Sequence, residues 1–115
     1  MSLREGYQKE IIREGNGPTP VAGAMVAVHC TGYGKDSDLT KKFWSTKDPG
    51  QQIFKFVIGM GQVIKGWDEG VMTMKKGEIA RIKCSPDYGY GPAGFPAWGI
   101  APQSTLVFEI ELLEV

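Results

Sequence analysis

The stretch GQVIKGWDEGV, Gly61 to Val71, contains the best helix candidate in this chain. Its large apolar residues share the spacing of one helix face: Val63, Ile64, Trp67 and Val71. Gly66 and Gly70 each weaken a helix by about 1 kcal/mol relative to alanine. We therefore predict one short helix over residues 63–72 that depends on burial for its stability.

The segments on both sides of this helix alternate between apolar and polar residues, or are rich in β-branched and aromatic residues, as strands are. Strands are predicted over five segments: Tyr7–Arg13, Met25–Thr31, Ile53–Ile58, Glu78–Cys84 and Thr105–Glu114. The polar run from Gly32 to Lys42 is predicted as a loop, and Phe43-Trp44 resumes the apolar pattern. Four or five strands with one helix predict an α+β fold, in which a mostly antiparallel sheet covers the helix with its apolar face.

Length and charge restrict the classes of function. The chain has 115 residues, 42% of them hydrophobic, which predicts a single domain over residues 1–115 with one core. Thirteen basic residues balance thirteen acidic ones, so neither nucleic acid nor a membrane surface is an expected partner. The N-terminal residues lack the pattern of a secretory signal, and no apolar run reaches eighteen residues. We expect a cytoplasmic protein.

The side chains needed for covalent, metal or acid–base catalysis are scarce. Two cysteines and His29 are too few for a zinc site, and no nucleophile motif accompanies the histidine. The glycines from Gly59 to Gly66 miss the phosphate-loop patterns and indicate a turn into the helix. The carboxylate pairs Asp68-Glu69 and Glu109/Glu111 are interpreted as solvated faces. We expect neither a metal nor a cofactor.

Aromatic residues form the remaining pattern. The segment from Pro86 to Ser104 has four aromatic residues and is longer than most loops, which indicates a functional loop. Several rings lie on different predicted elements, where a curled sheet could gather them: Phe54, Phe56, Trp67, Tyr90 and Phe108. Taken singly, each ring is more often a core residue. The aromatic loop favours a pocket instead, because a core needs no lid.

Six blocks follow one another along nearly the whole chain: VHCTG (Val28–Gly32), KKFWSTKD (Lys41–Asp48), FKFVIG (Phe54–Gly59), GQVIKGWDEGV (Gly61–Val71), SPDYGYG (Ser85–Gly91) and STLVFEIELL (Ser104–Leu113). Together they resemble the FKBP-type peptidyl-prolyl isomerases, immunophilins that bind tacrolimus and rapamycin. The FWSTKD and GFPAWGI segments are most similar to the small single-domain members of plants. The resemblance implies a five-stranded antiparallel sheet wrapped over one short helix.

The resemblance also implies the partners and the site. Expected partners of the monomer are proline-containing peptides and proteins, tacrolimus- and rapamycin-type macrolides, and the drug-dependent protein targets of these. Catalytic roles are implied for five aromatic residues: Phe43, Phe54, Trp67, Tyr90 and Phe108. The Trp67 indole forms the implied floor, and the Tyr90 hydroxyl reaches a ligand carbonyl. Substrate contacts are implied for seven residues: Cys30, Trp44, Val63, Ile64, Phe95, Trp98 and Ile100.

Three positions depart from the family pattern. Trp44 stands where an aspartate is common, Cys30 where an aromatic wall residue is common, and Gln62 where a glutamate is common. Trp44 favours an alternative function, a non-catalytic module that docks Leu/Phe-Pro segments or a partner protein through the same pocket and its loop. A purely structural domain is a third interpretation.

The two cysteines allow two states. Two buried free thiols are the ordinary state in a cytosolic protein. Plant-type relatives with a similar cysteine pair suggest a disulfide between Cys30 and Cys84, provided that their strands lie side by side.

Overall fold

The computed structural model describes residues 7–34, 38–91, 94–95 and 99–115. The elements in these ranges are, in chain order: β1 (Tyr7–Arg13), β2 (Met25–Tyr33), β3 (Lys42–Ser45), β4 (Phe54–Val57), α1 (Lys65–Gly70), a 3₁₀ turn (Val71–Thr73), β5 (Ile79–Cys84), a second 3₁₀ turn (Pro86–Tyr88) and β6 (Leu106–Glu114). The predicted α+β class is confirmed. Neither the α-helix nor the 3₁₀ turns of the described ranges have the length and apolar character needed to span a membrane.

All strands pair antiparallel in one sheet of order β1-β5-β6-β2-β3, with β4 also paired to β2. One edge of β2 binds β6 along most of its length. The other edge binds β4 at Met25–Val28 and β3 at Thr31–Tyr33. The described sheet therefore has six strands rather than the five implied by the resemblance, because two short strands share one edge of β2.

Strand β2 is longer than predicted. Gly32 and Tyr33 belong to it rather than to a loop, because Gly32 pairs with Phe108 on one side and with Trp44 on the other. Ladder pairing on both edges thus overrides the local preference of glycine for turns. Strand β4, in contrast, is shorter than the predicted Ile53–Ile58.

The helix begins later than the predicted residue 63. Ile64 is its N-cap residue with extended backbone (φ −58°, ψ 152°), and the last predicted turn is 3₁₀. Gly66 and Gly70 are buried. A Cβ atom at Gly66 would overlap Cys84 Sγ, and one at Gly70 would lie 2.8 Å from Ile82 Cδ1. The two glycines therefore let α1 approach β5 closely, which confirms that burial holds this helix.

The core lies between α1 and the inner face of the sheet. Alternate residues of β2, β5 and β6 are buried, as the period of two predicted: Val26, Val28, Cys30, Ala80, Ile82, Cys84, Leu106, Phe108, Ile110 and Leu112. On the outer face Glu109 pairs with Arg81, and Glu111 pairs with Arg13, each at 3.2 Å. The helix places Trp67, and the 3₁₀ turn that follows it places Val71, against the inner face.

Candidate active site

The indole of Trp67 lies at the centre of a cluster of aromatic rings. Only 5% of Trp67 is exposed. Its ring centroid is 5.7 Å from that of Phe54, 5.8 Å from that of Phe56 and 5.3 Å from that of Phe108. The Phe54 and Phe108 planes stand at 77° and 89° to the indole, a favourable edge-to-face packing. The structure thus brings together four of the five rings that the sequence predicted for a pocket: Trp67 on α1, Phe54 and Phe56 on β4, and Phe108 on β6.

Phe56 was among the rings that the sequence predicted for a pocket, although the family resemblance assigned it no role. Phe54 and Phe56 are two residues apart on β4, so both side chains leave the same face of the strand. Their rings stack with centroids 5.6 Å apart and an interplanar angle of 29°. Phe56 is 3% exposed and supports the partly exposed Phe54 from the core side.

Strand β3 supplies two further rings, both partly exposed. The Phe43 ring meets Phe108 edge-on at 5.8 Å, and the Trp44 ring meets Phe54 edge-on at 6.2 Å. A Cβ atom at Gly32 would lie 2.5 Å from Phe43 Cζ, so the Phe43 ring lies directly over this glycine. The cluster therefore has a buried floor at Trp67 and walls from β3, β4 and β6.

Tyr90 comes two residues after the 3₁₀ turn Pro86–Tyr88, and its ring lies 5.4 Å from that of Phe95. Burial, and secondarily the nearby Cys30 thiol, raise the pKa of the Tyr90 hydroxyl above its ordinary value of 10.0. The hydroxyl therefore remains protonated and able to donate a hydrogen bond at neutral pH.

The loop after Tyr90 is held by backbone hydrogen bonds. The Phe95 N–H donates to the Ile100 carbonyl (2.9 Å), the Ile100 N–H donates to the Phe95 carbonyl (3.1 Å), and the Gln103 N–H donates to the Gly91 carbonyl (3.0 Å). Ile100 is 1% exposed and belongs to the core, whereas Phe95 is partly exposed. Ile100, for which the resemblance implied a substrate contact, is thus a core residue that anchors the loop. Trp98 lies outside the described residues.

Val63 and Ile64 precede α1 and are partly buried against the core. The Ile64 carbonyl accepts hydrogen bonds from the Trp67 N–H (3.0 Å) and the Asp68 N–H (3.1 Å). Because these bonds close the first helical turn, they fix the Ile64 carbonyl at the start of the helix that carries Trp67.

Comparison with known proteins identifies the family of this chain. The family of FKBP-type peptidyl-prolyl cis-trans isomerases matches residues 17–113. The chain belongs to this family. It is 67% identical over 108 residues to the peptidyl-prolyl cis-trans isomerase FKBP12 of Vicia faba, which covers 94% of this chain and 96% of that protein. The predicted family and the predicted isomerase are confirmed.

Two other relatives show how widely the match extends. The FKBP-type chain is 64% identical over 110 residues to the peptidyl-prolyl cis-trans isomerase FKBP12 of Arabidopsis thaliana, across 96% of this chain and 98% of that protein. It is 46% identical over 111 residues to the peptidyl-prolyl cis-trans isomerase FKBP1A of Xenopus laevis, across 96% and 98% respectively. Proteins of this family act on proline-containing substrates.

The structure shows what the departing residues of this FKBP-type isomerase contact. The Trp44 indole N–H donates to Gln51 Oε1 at 3.3 Å. Gln62 Oε1 accepts a hydrogen bond from the Val57 N–H at 3.0 Å, which ties the segment before α1 to strand β4. The Cys30 N–H donates to Thr46 Oγ1 at 2.9 Å, and Cys30 is 2% exposed.

The two cysteines of the FKBP-type chain are buried free thiols. Burial raises the pKa of Cys30 well above its ordinary value of 9.0, and burial raises the pKa of Cys84 to about 12, so both thiols are neutral. The condition for a disulfide is not met, because β6 lies between the strands that carry them. Two ladders of about 4.8 Å each separate those strands by about 10 Å, whereas bonded cysteines have Cα atoms within about 7 Å.

Proposed function

We propose that the ring cluster around Trp67 is the site of Xaa-Pro isomerisation and also binds macrolides of the tacrolimus and rapamycin type. The observation that carries this proposal is the nearly buried Trp67 indole, which Phe54 and Phe108 meet edge-on. An apolar ring such as that of proline fits a site lined by aromatic faces and edges. The family membership supports the activity; the assignment to these residues is ours.

The reaction does not require a nucleophile. Rotation about an Xaa-Pro bond faces a barrier of roughly 18–20 kcal/mol because the twisted amide loses its resonance. The twisted amide is less dipolar than the planar one, so a dry apolar pocket disfavours the hydrated ground state relative to the transition state. A thousandfold acceleration needs a reduction of only about 4 kcal/mol in the barrier.

Each part of the cluster has a distinct role in this proposal. The rings that surround the proline are those of the floor and the walls: Phe43, Phe54, Trp67 and Phe108. The Tyr90 hydroxyl, which is protonated at neutral pH, donates a hydrogen bond to one substrate carbonyl. The Ile64 N–H donates to a second carbonyl. Together these contacts hold the two ends of the rotating bond.

Trp44 and Phe95 set which sequences bind. The Trp44 ring extends the Phe54 wall, so we expect leucine or phenylalanine before the proline to bind well. Phe95 packs against Tyr90 and reaches the surface, so it forms part of the rim that a protein substrate meets. With a macrolide bound, the same rim would meet a drug-dependent protein target.

Peptide isomerisation in the presence and absence of tacrolimus tests this proposal. The purified protein is expected to accelerate the cis-trans exchange of Xaa-Leu-Pro and Xaa-Phe-Pro peptides above the uncatalysed rate. Tacrolimus is expected to bind one site by calorimetry and to inhibit the exchange. If the protein accelerates peptide exchange but tacrolimus gives no saturable heat of binding, the proposal of macrolide binding is rejected and that of isomerisation stands. Full activity in both Tyr90→Phe and Phe108→Ala would reject the site.

A second candidate function is a docking module in which turnover is incidental. Trp44 favours it, because the indole adds apolar contact area where the family commonly has an acidic group. The discriminating variant is Tyr90→Phe. If it loses isomerisation, keeps binding a Leu-Pro peptide and still rescues function in cells, then docking is the cellular role. If rescue is lost together with turnover, catalysis is the role.

A further inference from the structure

Asp68 follows the pocket tryptophan directly, and its carboxylate is bound by the turn between β4 and α1. Its Oδ1 accepts a hydrogen bond from the Gly59 N–H at 2.9 Å, and its Oδ2 accepts one from the Gly61 N–H at 2.8 Å. Gly59 and Gly61 have positive φ angles of 78° and 74°. Such angles favour glycine, and here they accompany two N–H groups that converge on one carboxylate.

The backbone of Asp68 fixes the other end of the same segment. Its N–H donates to the Ile64 carbonyl at 3.1 Å. We call residues 59–64 the pocket segment, because it runs from the end of β4 to the N-cap of α1 and includes Val63 and Ile64. One residue thus holds both ends of the pocket segment, the start through its side chain and the end through its main chain.

Burial contributes little to holding the first part of the pocket segment. All four residues from Gly59 to Gln62 are exposed, and Met60 is 63% exposed. No side chain caps the N-terminus of α1 at Ile64. Within the described residues, the polar contacts that hold this stretch are therefore those of the Asp68 carboxylate and the Gln62–Val57 hydrogen bond. Asp68 is partly exposed, as its interpretation as a solvated face predicted, but its carboxylate also binds the preceding turn, which a local sequence pattern cannot show.

We propose that Asp68 is a positioning residue for the isomerase, which holds the pocket segment so that the Val63 and Ile64 backbone keeps its position at the start of the helix that carries Trp67. This rests on the proposed function of that backbone in binding substrate. The backbone contacts are made in the ground state and the transition state alike, so their loss raises KM more than it lowers kcat. Small displacements of a positioning group have large kinetic effects.

The test compares three substitutions of Asp68 with a control carboxylate. Asp68→Ala removes both acceptors, Asp68→Asn leaves one oxygen acceptor in the same shape, and Asp68→Glu keeps the charge. Asp38→Ala is the matched control, because Asp38 also accepts a backbone N–H, that of Thr40, but in the loop between β2 and β3. The kinetics of a Leu-Pro peptide are measured at a temperature at which thermal melts show every variant folded.

Asp68→Ala is expected to raise KM about tenfold, with kcat within about twofold of the wild type. The KM of Asp68→Asn should lie between those of the wild type and Asp68→Ala. Asp68→Glu should recover most of the loss, and Asp38→Ala should match the wild type. Amide exchange at Gly59 and Gly61 should accelerate in Asp68→Ala. A KM within twofold of the wild type in Asp68→Ala overturns the proposal, as does an equal effect of Asp38→Ala. If Asp68→Ala does not fold, the same criterion applied to Asp68→Asn decides.

Failure of this proposal can be told apart from failure of the proposed function. If Tyr90→Phe lowers isomerisation while Asp68→Ala is unchanged, the pocket stands and only the role of Asp68 is rejected. If both Tyr90→Phe and Phe108→Ala keep full activity, the pocket assignment fails and the role of Asp68 fails with it.

Discussion

The ring of Phe108 meets the indole of Trp67 edge-on, with centroids 5.3 Å apart and planes at 89°. The same ring meets Phe43 at 5.8 Å and 87°. Phe108 is 3% exposed, lies on the central part of the sheet and pairs with Gly32, the residue beneath the Phe43 ring. Phe108 therefore links helix α1, which carries Trp67, to strand β3, which carries Phe43.

Phe108→Ala is expected to lower both stability and activity. Removal of a buried phenylalanine costs about 3–5 kcal/mol of unfolding free energy. The loss of contact with Trp67 and Phe43 should lower kcat/KM at least about tenfold at a temperature where the variant is folded. Urea unfolding and peptide kinetics measure the two effects, and Phe108→Leu is the control that retains an apolar side chain. Unchanged kcat/KM in folded Phe108→Ala would contradict the role of this ring.

Gly66→Ala tests whether close packing or helix propensity dominates in α1. Propensity alone predicts a gain of about 1 kcal/mol. The added Cβ, however, would overlap Cys84 Sγ and lie 3.2 Å from the Tyr88 carbonyl oxygen. We expect a net loss of roughly 1–3 kcal/mol in unfolding free energy, because overpacking a core outweighs propensity. Lys65→Ala, at an exposed position of the same helix, is the control; a more stable Gly66→Ala would show that propensity dominates.

Tyr90→Phe should affect catalysis with little effect on stability. The hydroxyl donates to a substrate carbonyl in the proposed mechanism, so kcat/KM is expected to fall about five- to tenfold, the effect of about 1 kcal/mol in a hydrogen bond. Because burial raises the Tyr90 pKa above 10.0, the wild-type kcat/KM should remain flat as pH rises from 7 to about 10. If the kcat/KM of the wild type fell with a midpoint below pH 10 and that of Tyr90→Phe did not, the Tyr90 hydroxyl would lose its proton more readily than burial predicts.

We expect the Cys84 thiol to make the stability of the fold sensitive to alkali. Its pKa is about 12 in the folded protein against an ordinary value of 9.0, so the unfolded chain releases this proton first as the pH rises. The stabilisation is fully present below pH 9 and is lost progressively from pH 9 towards 12, with a slope of up to about 1.4 kcal/mol per pH unit. Urea unfolding with reductant at pH 8, 9.5 and 10.5 measures it. The unfolding free energy of Cys84→Ala should fall less steeply with pH than that of the wild type. Equal slopes in the two proteins would show that the Cys84 thiol does not cause the fall.

Several features of the fold and site followed from local patterns. The alternation in β5 and β6 assigned Ile82, Leu106 and Phe108 to the inner face, where each is buried. A period of two is a property of each strand itself, so it can be read without knowledge of the partner strands. Similarly, the helical spacing placed Trp67 on the side of α1 that faces the sheet, and the match of six blocks predicted the family.

Other features depended on contacts between distant residues. Gly32 is a strand residue because Phe108 and Trp44 pair with it, and Cys30 and Cys84 stay apart because β6 lies between their strands. The sequence by itself determined which faces of the strands and of the helix are apolar, and which aromatic residues can contribute to a pocket. Only the tertiary structure decided that two glycine N–H groups bind the Asp68 carboxylate, because that contact forms when the turn after β4 folds back onto the helix.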